Sequence, residues 1–97
     1  MSLSAIDLAK ARETAKTILE DMRLDAYIFE VEPREEHWEL TIECACEIDG
    51  SWQTITLRVP TDMLLQSFVD EDVKSDLFNY WEKQLAYCKK IKGATDL

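Results

Sequence analysis

The sequence predicts an α+β fold in which three antiparallel strands form a meander and helices cover one of its faces. Apolar residues recur every three or four positions at both ends of the chain, and they alternate with polar residues in the middle. The first pattern is typical of amphipathic helices and the second of half-buried strands. A length of 97 residues suits one domain, so residues 1–97 are predicted to form a single domain in the order α-β-β-β-α-α.

The first predicted helix covers residues 5–23. Ser4 precedes it as an N-cap, and Asp7, three residues on, completes a weak capping box. Apolar side chains then follow at helical spacing, with charged residues on the opposite side. The predicted core-facing set is Leu8, Ala11, Ala15, Ile18 and Met22.

The period changes to two at Ala26, which predicts strands over residues 27–32, 37–48 and 51–59. A four-residue loop is predicted at 33–36. The second connection contains Asp49-Gly50, a residue pair that favours a two-residue hairpin turn. Turn lengths set the register of a hairpin. The predicted pairs are Val31 with Trp38, Phe29 with Leu40, Tyr27 with Ile42, Cys44 with Ile55, Ile42 with Leu57, Leu40 with Val59, and Glu47 with Trp52.

Helical spacing returns after Pro60, which ends the third strand. We expect a short helix over residues 61–69 and a long one over 71–92. The two are predicted to break at Asp70, because the consecutive carboxylates that start there favour a helix N-terminus. Gly93 is the predicted C-terminal cap.

Composition excludes several classes of function. Eleven Lys and Arg stand against twenty Asp and Glu, a net charge of −9, which argues against direct nucleic-acid binding. The element order is similar to that of double-stranded-RNA-binding domains. Those domains present lysines at the start of the last helix, where this chain has Asp70, Glu71 and Asp72, so the chain is not assigned to that family. No apolar run approaches the ~20 residues that span a bilayer, so no membrane partner is expected.

The three cysteines, Cys44, Cys46 and Cys88, are predicted to be reduced core thiols that bind no metal. The first two point inward along a strand, and the third lies on the apolar stripe of the last helix. An odd count without framework spacing predicts a cytoplasmic protein, and no cofactor is expected. His37, the one histidine, is predicted to be exposed and lacks a matching nucleophile, so no catalytic residue is assigned.

The excess negative charge lies in residues 20–49, where eleven acidic residues stand against two basic ones. The predicted register places five glutamates and a tryptophan on the sheet face away from the helices. Glutamate is a poor strand former, and like charges on neighbouring strands repel, so this arrangement is unfavourable for the sheet itself. We therefore expect the face to serve the binding of a basic partner. A face that is merely solvated is the alternative. The predicted partner-binding residues are Glu30, Glu32, Glu39, Glu43, Glu47 and Trp52.

Apolar residues spread over about half of the circumference of the last predicted helix. A helix that faces one core requires an apolar stripe of only ~100°. The surplus predicts a homodimer interface, with shielding by the first helix as the alternative. The predicted self-association residues are Phe78, Tyr80, Leu85 and Tyr87.

These features favour a small acidic, non-catalytic protein-interaction module: an adaptor, chaperone-like or inhibitor protein that binds a basic protein through its acidic sheet face. One alternative is an inhibitor of a nucleic-acid-binding protein, in which the carboxylates imitate DNA phosphates. A less favoured alternative is a small enzyme that uses surface carboxylates or His37.

Overall fold

Three strands and three helices follow one another in the predicted order, so the α+β class and the antiparallel meander are confirmed. The computed structural model describes residues 4–91. The elements are α1 (Ala5–Asp21), β1 (Tyr27–Pro33), β2 (His37–Ala45), β3 (Trp52–Pro60), α2 (Thr61–Gln66) and α3 (Glu71–Gln84). Strand β2 lies between β1 and β3. Within residues 4–91, no helix is both long and apolar enough to cross a membrane.

Helix α1 begins with the predicted capping box and ends before the predicted residue 23. The Ser4 hydroxyl accepts from the Asp7 N–H at 3.1 Å, and the Asp7 carboxylate accepts from the Ser4 N–H at 3.2 Å. Two backbone donors at the helix start are thereby satisfied. The helix stops because Arg23 has a φ of 56°, in the left-handed region that favours glycine.

The sheet buries one face against the helices and leaves the other open. The inward side chains of β2 are all fully buried, and β1 and β3 add further buried aliphatic residues. Burial of each large aliphatic side chain stabilises the fold by about 1.5–3 kcal/mol. The Trp38 indole N–H also donates to the Thr61 carbonyl oxygen at 3.2 Å, which joins β2 to α2. The buried sheet residues are Val31, Trp38, Leu40, Ile42, Cys44, Leu57 and Val59.

The first hairpin differs from the predicted register by two residues. Val31 lies opposite Leu40 rather than Trp38. The Arg34 N–H donates to the His37 carbonyl oxygen at 2.8 Å, which closes a tighter turn than the predicted four-residue loop. The prediction of a four-residue loop was wrong. The alternation of apolar and polar residues fits both turn lengths, so the sequence pattern does not distinguish them.

The second hairpin is also displaced by two residues. Cys44 lies opposite Gln53 rather than Ile55, because residues 46–51 form a longer connection than the predicted two-residue turn. Gly50 has the expected positive φ of 74°, but Asp49 does not share it. An even displacement leaves each strand side chain on its predicted face, since successive side chains alternate.

The predicted break at Asp70 is confirmed. Its carboxylate caps α3 by accepting from the N–H groups of Asp72 and Val73, at 2.9 and 3.3 Å. The helices themselves are shorter than predicted: α2 ends before residue 69 and α3 well before residue 92. The predicted cap Gly93 lies outside the described residues.

Residues 87–91 leave the helical path and insert between the end of β2 and the connection from α1 to β1. They form backbone hydrogen bonds on both sides, so they act as a short additional strand. These bonds are Lys89 N–H to the Ala45 oxygen (2.7 Å), Glu47 N–H to the Tyr87 oxygen (2.9 Å), Asp25 N–H to the Lys89 oxygen (2.9 Å) and Ile91 N–H to the Arg23 oxygen (2.8 Å).

A disulfide joins Cys44 on β2 to Cys88 in this segment, with a Cα–Cα distance of 5.7 Å. The expectation of three reduced thiols is therefore wrong for these two cysteines, and only Cys46 is free. The inward placement of Cys44 was predicted correctly, but Cys88 was assigned to a helix that ends before it. Closing a loop with a sequence separation of 44 stabilises the fold by about 4 kcal/mol on the chain-entropy account.

The left-handed Arg23 generates a stability prediction. The Arg23→Gly variant should exceed Arg23→Ala in unfolding free energy by roughly 0.5–1 kcal/mol. Both variants lose the guanidinium, but only glycine removes the Cβ atom that disfavours this backbone conformation. Urea denaturation of the two variants measures the difference, and an alanine variant at least as stable as the glycine variant would contradict it.

Candidate protein-binding surface

The sheet face opposite the helices is the surface that the predicted partner-binding residues share, with the exception of Glu47. Strand alternation points these side chains away from the core, and the burial pattern confirms that their neighbours point inward. We call this surface the outer sheet face. It consists of Ile28, Glu30, Glu32, His37, Glu39, Thr41, Glu43, Ala45, Trp52, Thr54, Thr56 and Arg58.

The observed register gathers carboxylates around Thr41 at the centre of this face. Glu30 lies directly opposite Thr41, and Glu39 and Glu43 stand two residues to either side on the same strand. Diagonal neighbours of this kind are about 7–8 Å apart at Cα, within the range of unscreened repulsion between exposed charges. The Glu30 carboxylate is therefore repelled by Glu39 on one side and by Glu43 on the other.

Two arginines reduce the charge at one end of the face. The Arg34 guanidinium donates to the Glu39 carboxylate at 3.1 Å and lies 3.6 Å from that of Glu32. Arg58 stands directly across from Glu39 on β3. Glu30 and Glu43 form no ion pair with any of residues 4–91. The net negative charge of the face is thus concentrated toward Glu43.

Exposed apolar side chains stand beside Glu43. Ile28, its cross-strand neighbour, is 59% exposed, and Trp52 is 55% exposed on the adjacent strand. Trp52 lies opposite Ala45, so its predicted pairing with Glu47 is wrong. The face therefore combines carboxylates with two large exposed apolar groups, and exposed aromatic side chains such as Trp52 are enriched at protein-binding surfaces.

Glu47 is the one predicted glutamate that the structure does not place on a strand. It lies in the 46–51 loop, beyond the end of β2, and its backbone N–H donates to the Tyr87 carbonyl oxygen. Within this loop the Ser51 hydroxyl and N–H donate to Asp49, at 2.7 and 3.0 Å. These two bonds, with a smaller contribution from the Cys46 thiol, hold the pKa of Asp49 below its ordinary value.

The predicted self-association set is only partly exposed. Leu85 is 1% exposed and belongs to the core, so its assignment to an interface is wrong. Phe78 packs partly against the same core. Tyr80 and Tyr87 are exposed, but Tyr87 follows the end of α3 and lies beside the hairpin loop instead of on a helix flank. A homodimer through these residues stays a prediction.

His37 is half-buried instead of exposed, and its Nε2 atom is buried without a hydrogen-bond partner among residues 4–91.

A cleft of about 110 Å³ lies between α1 and α3. His37 is not among the residues that line it, which are Glu13, Thr14, Thr17, Ser67, Phe68, Glu71 and Lys74. Among residues 4–91, no group of three or more His, Cys, Asp or Glu is arranged to hold a metal ion.

Sequence reasoning identified the residues of the outer sheet face but missed the two features that shape its charge. The ion pair between Arg34 and Glu39 depends on the tight first turn. The position of Trp52 opposite the uncharged Ala45 depends on the longer second loop. No protein-family model, curated protein or solved structure matches this chain.

The two kinds of glutamate on this face should respond oppositely to neutralisation. Glu30→Gln should raise the unfolding free energy by a few tenths of a kcal/mol, because it relieves cross-strand repulsion. Glu39→Gln should lower it by about 0.2–1 kcal/mol, because it removes the Arg34 ion pair. Urea denaturation at low and high salt measures both effects, which should shrink together as salt rises. Equal effects of the same sign would contradict the charge distribution described above.

Proposed function

We propose that the protein is a small, non-catalytic interaction module that binds a basic protein through its outer sheet face. The observation that carries the proposal is the location of Glu30 and Glu43, which lack ion-pair partners among residues 4–91, next to the exposed Ile28 and Trp52. Three helices pack on the opposite face of the sheet, so this surface stays open to a partner.

The physical chemistry of this surface assigns different roles to its charged and apolar groups. Carboxylates attract a basic partner over distances of about the Debye length and so accelerate encounter. A large aromatic group that becomes desolvated in the complex slows dissociation instead. Glu43 and Trp52 together supply both contributions within one patch.

The inhibitor that imitates DNA is a special case of the same proposal, in which the basic partner is a nucleic-acid-binding protein. It requires carboxylates spaced to replace phosphates. The carboxylate residues available for this are the diagonal neighbours around Thr41, about 7–8 Å apart at Cα. The two Arg side chains at the Glu39 end oppose this reading, since they would repel a phosphate-binding surface.

The cytoplasmic location also stays a prediction. It was expected from unpaired cysteines, and the Cys44–Cys88 disulfide weakens that argument because disulfides persist mainly in oxidising compartments.

The direct test is comparative capture from host extract with two charge-matched variants. The first carries Glu30→Gln and Glu43→Gln on the outer sheet face. The control carries Glu13→Gln and Asp76→Asn on exposed positions of α1 and α3, and has the same net charge. We expect a basic protein that the wild type and the control retain but the first variant loses. Partners that bind all three proteins equally, or discriminating partners that are acidic, would contradict the proposal.

Kinetics with the captured partner should separate the two contributions. Glu43→Gln should slow association, and rising salt should have the same effect, with complex lifetime changed less. Trp52→Ala should leave association nearly unchanged and shorten the lifetime. Stopped-flow or surface-binding measurements resolve the two rates. Identical rates in both variants and at both salt levels would leave the outer sheet face as a merely solvated surface.

A further inference from the structure

The three cysteines lie together where residues 87–91 pair with the end of β2. Cys46 stands directly opposite Cys88 in an antiparallel bridge. The flanking bonds, Lys89 N–H to the Ala45 oxygen and Glu47 N–H to the Tyr87 oxygen, make this a non-hydrogen-bonded pair. Cα atoms of such a pair are about 4.5 Å apart, and their side chains approach more closely than at other sheet positions.

Cys88 is therefore placed for a disulfide with either of two neighbours. Its Cα atom lies 5.7 Å from that of Cys44, to which it is bonded. The Cys46 position opposite falls within the same 4.4–6.8 Å window that disulfides occupy. Cys44 and Cys46 themselves are two residues apart on one strand, about 6.6–6.8 Å at Cα, near the limit of that window. Cys88 therefore lies within disulfide distance of both Cys44 and Cys46.

The three sulfurs differ in their access to solvent. Cys44 is 0% exposed and Cys88 is 1% exposed, so a thiol in solution cannot reach either end of the existing bond. Cys46 is half-buried at the start of the hairpin loop, and it is a free thiol. It alone borders both the solvent and the buried disulfide.

We propose that Cys44, Cys46 and Cys88 form a thiol–disulfide exchange site in which Cys46 transfers the buried disulfide to the surface, where small-molecule thiols react with it. The placement of Cys46 opposite Cys88, together with the partial exposure of Cys46 to solvent, carries the proposal. It is independent of the partner-binding role of the outer sheet face.

The exchange step conserves the number of disulfides. The Cys46 thiolate attacks Sγ of Cys88, the Cys46–Cys88 bond forms, and the Cys44–Cys88 bond breaks. Cys44 leaves as a thiolate and takes a proton from water, which replaces the proton that Cys46 lost. No oxidant or reductant is consumed in this step.

Reduction by a thiol such as glutathione then follows in two steps. A glutathione thiolate attacks Sγ of Cys46, which forms a mixed disulfide and releases Cys88. A second glutathione thiolate attacks the glutathione sulfur of that mixed disulfide, which releases Cys46 and glutathione disulfide. The protein gains two electrons and two protons, and two glutathione molecules are oxidised to one disulfide.

Reduction kinetics of the folded, oxidised protein test the route. Reduced glutathione is the probe, and samples are quenched with acid, alkylated and digested after glutamate, which isolates residues 44–47 as one peptide. Fragmentation of that peptide shows whether Cys44 or Cys46 is alkylated. Cys46→Ser should slow reduction of the Cys44–Cys88 bond at least tenfold. A destabilised variant would be reduced faster through unfolding, so slowing is specific to the proposed route.

A second variant tests the alternative bond directly. Cys44→Ser, oxidised with glutathione disulfide, should form the Cys46–Cys88 bond and yield the corresponding linked peptide. The proposal requires both results. Reduction of Cys46→Ser at the wild-type rate or faster overturns it, and so does a Cys44→Ser protein in which Cys46 and Cys88 carry separate glutathione adducts and no bond between them.

Discussion

Strand β2 is the element on which the rest of the structure depends. It is the central strand, and each of its inward side chains from Trp38 to Cys44 is fully buried. Helix α2 is joined to it through the Trp38 indole, and the segment after α3 is joined to it through Cys44. Because side chains alternate along a strand, the same residues that build the core force Glu39, Thr41 and Glu43 outward. The alternation of side chains along β2 therefore produces both the core and the outer sheet face.

The end of β2 has a second role, since three structural features converge there. β1 begins opposite Cys44, so the edge beyond it is taken by residues 87–91. That pairing holds the connection after α1, buries a disulfide and brings Cys46 opposite Cys88. It also places Tyr87 beside the hairpin loop, at the end of the outer sheet face that carries Trp52. The proposed exchange site thus lies at the end of β2, next to the hairpin loop that leads to Trp52.

Fold class and side-chain faces were predictable because both follow from the period of the apolar pattern. The register was not, since a displacement of two residues leaves the pattern unchanged: Leu40 opposite Val31 satisfies it as well as Trp38 does. The end of α3 was missed for a similar reason. Leu85 and Cys88 continue the helical spacing of Leu77 and Trp81, yet backbone pairing with β2 takes over after Gln84. The disulfide could not be predicted without that pairing, because only it brings Cys88 to β2.

The central claim is that the outer face of β2 and its neighbours, left open by the helices, is where a partner binds. Cross-saturation NMR of the isotope-labelled protein with a captured partner tests this most directly, since it reports contact residue by residue. The account predicts the strongest signal loss at Glu43, Ile28 and the Trp52 indole N–H. Signal loss confined to exposed helix-side residues such as Val69 and Tyr80 would contradict it.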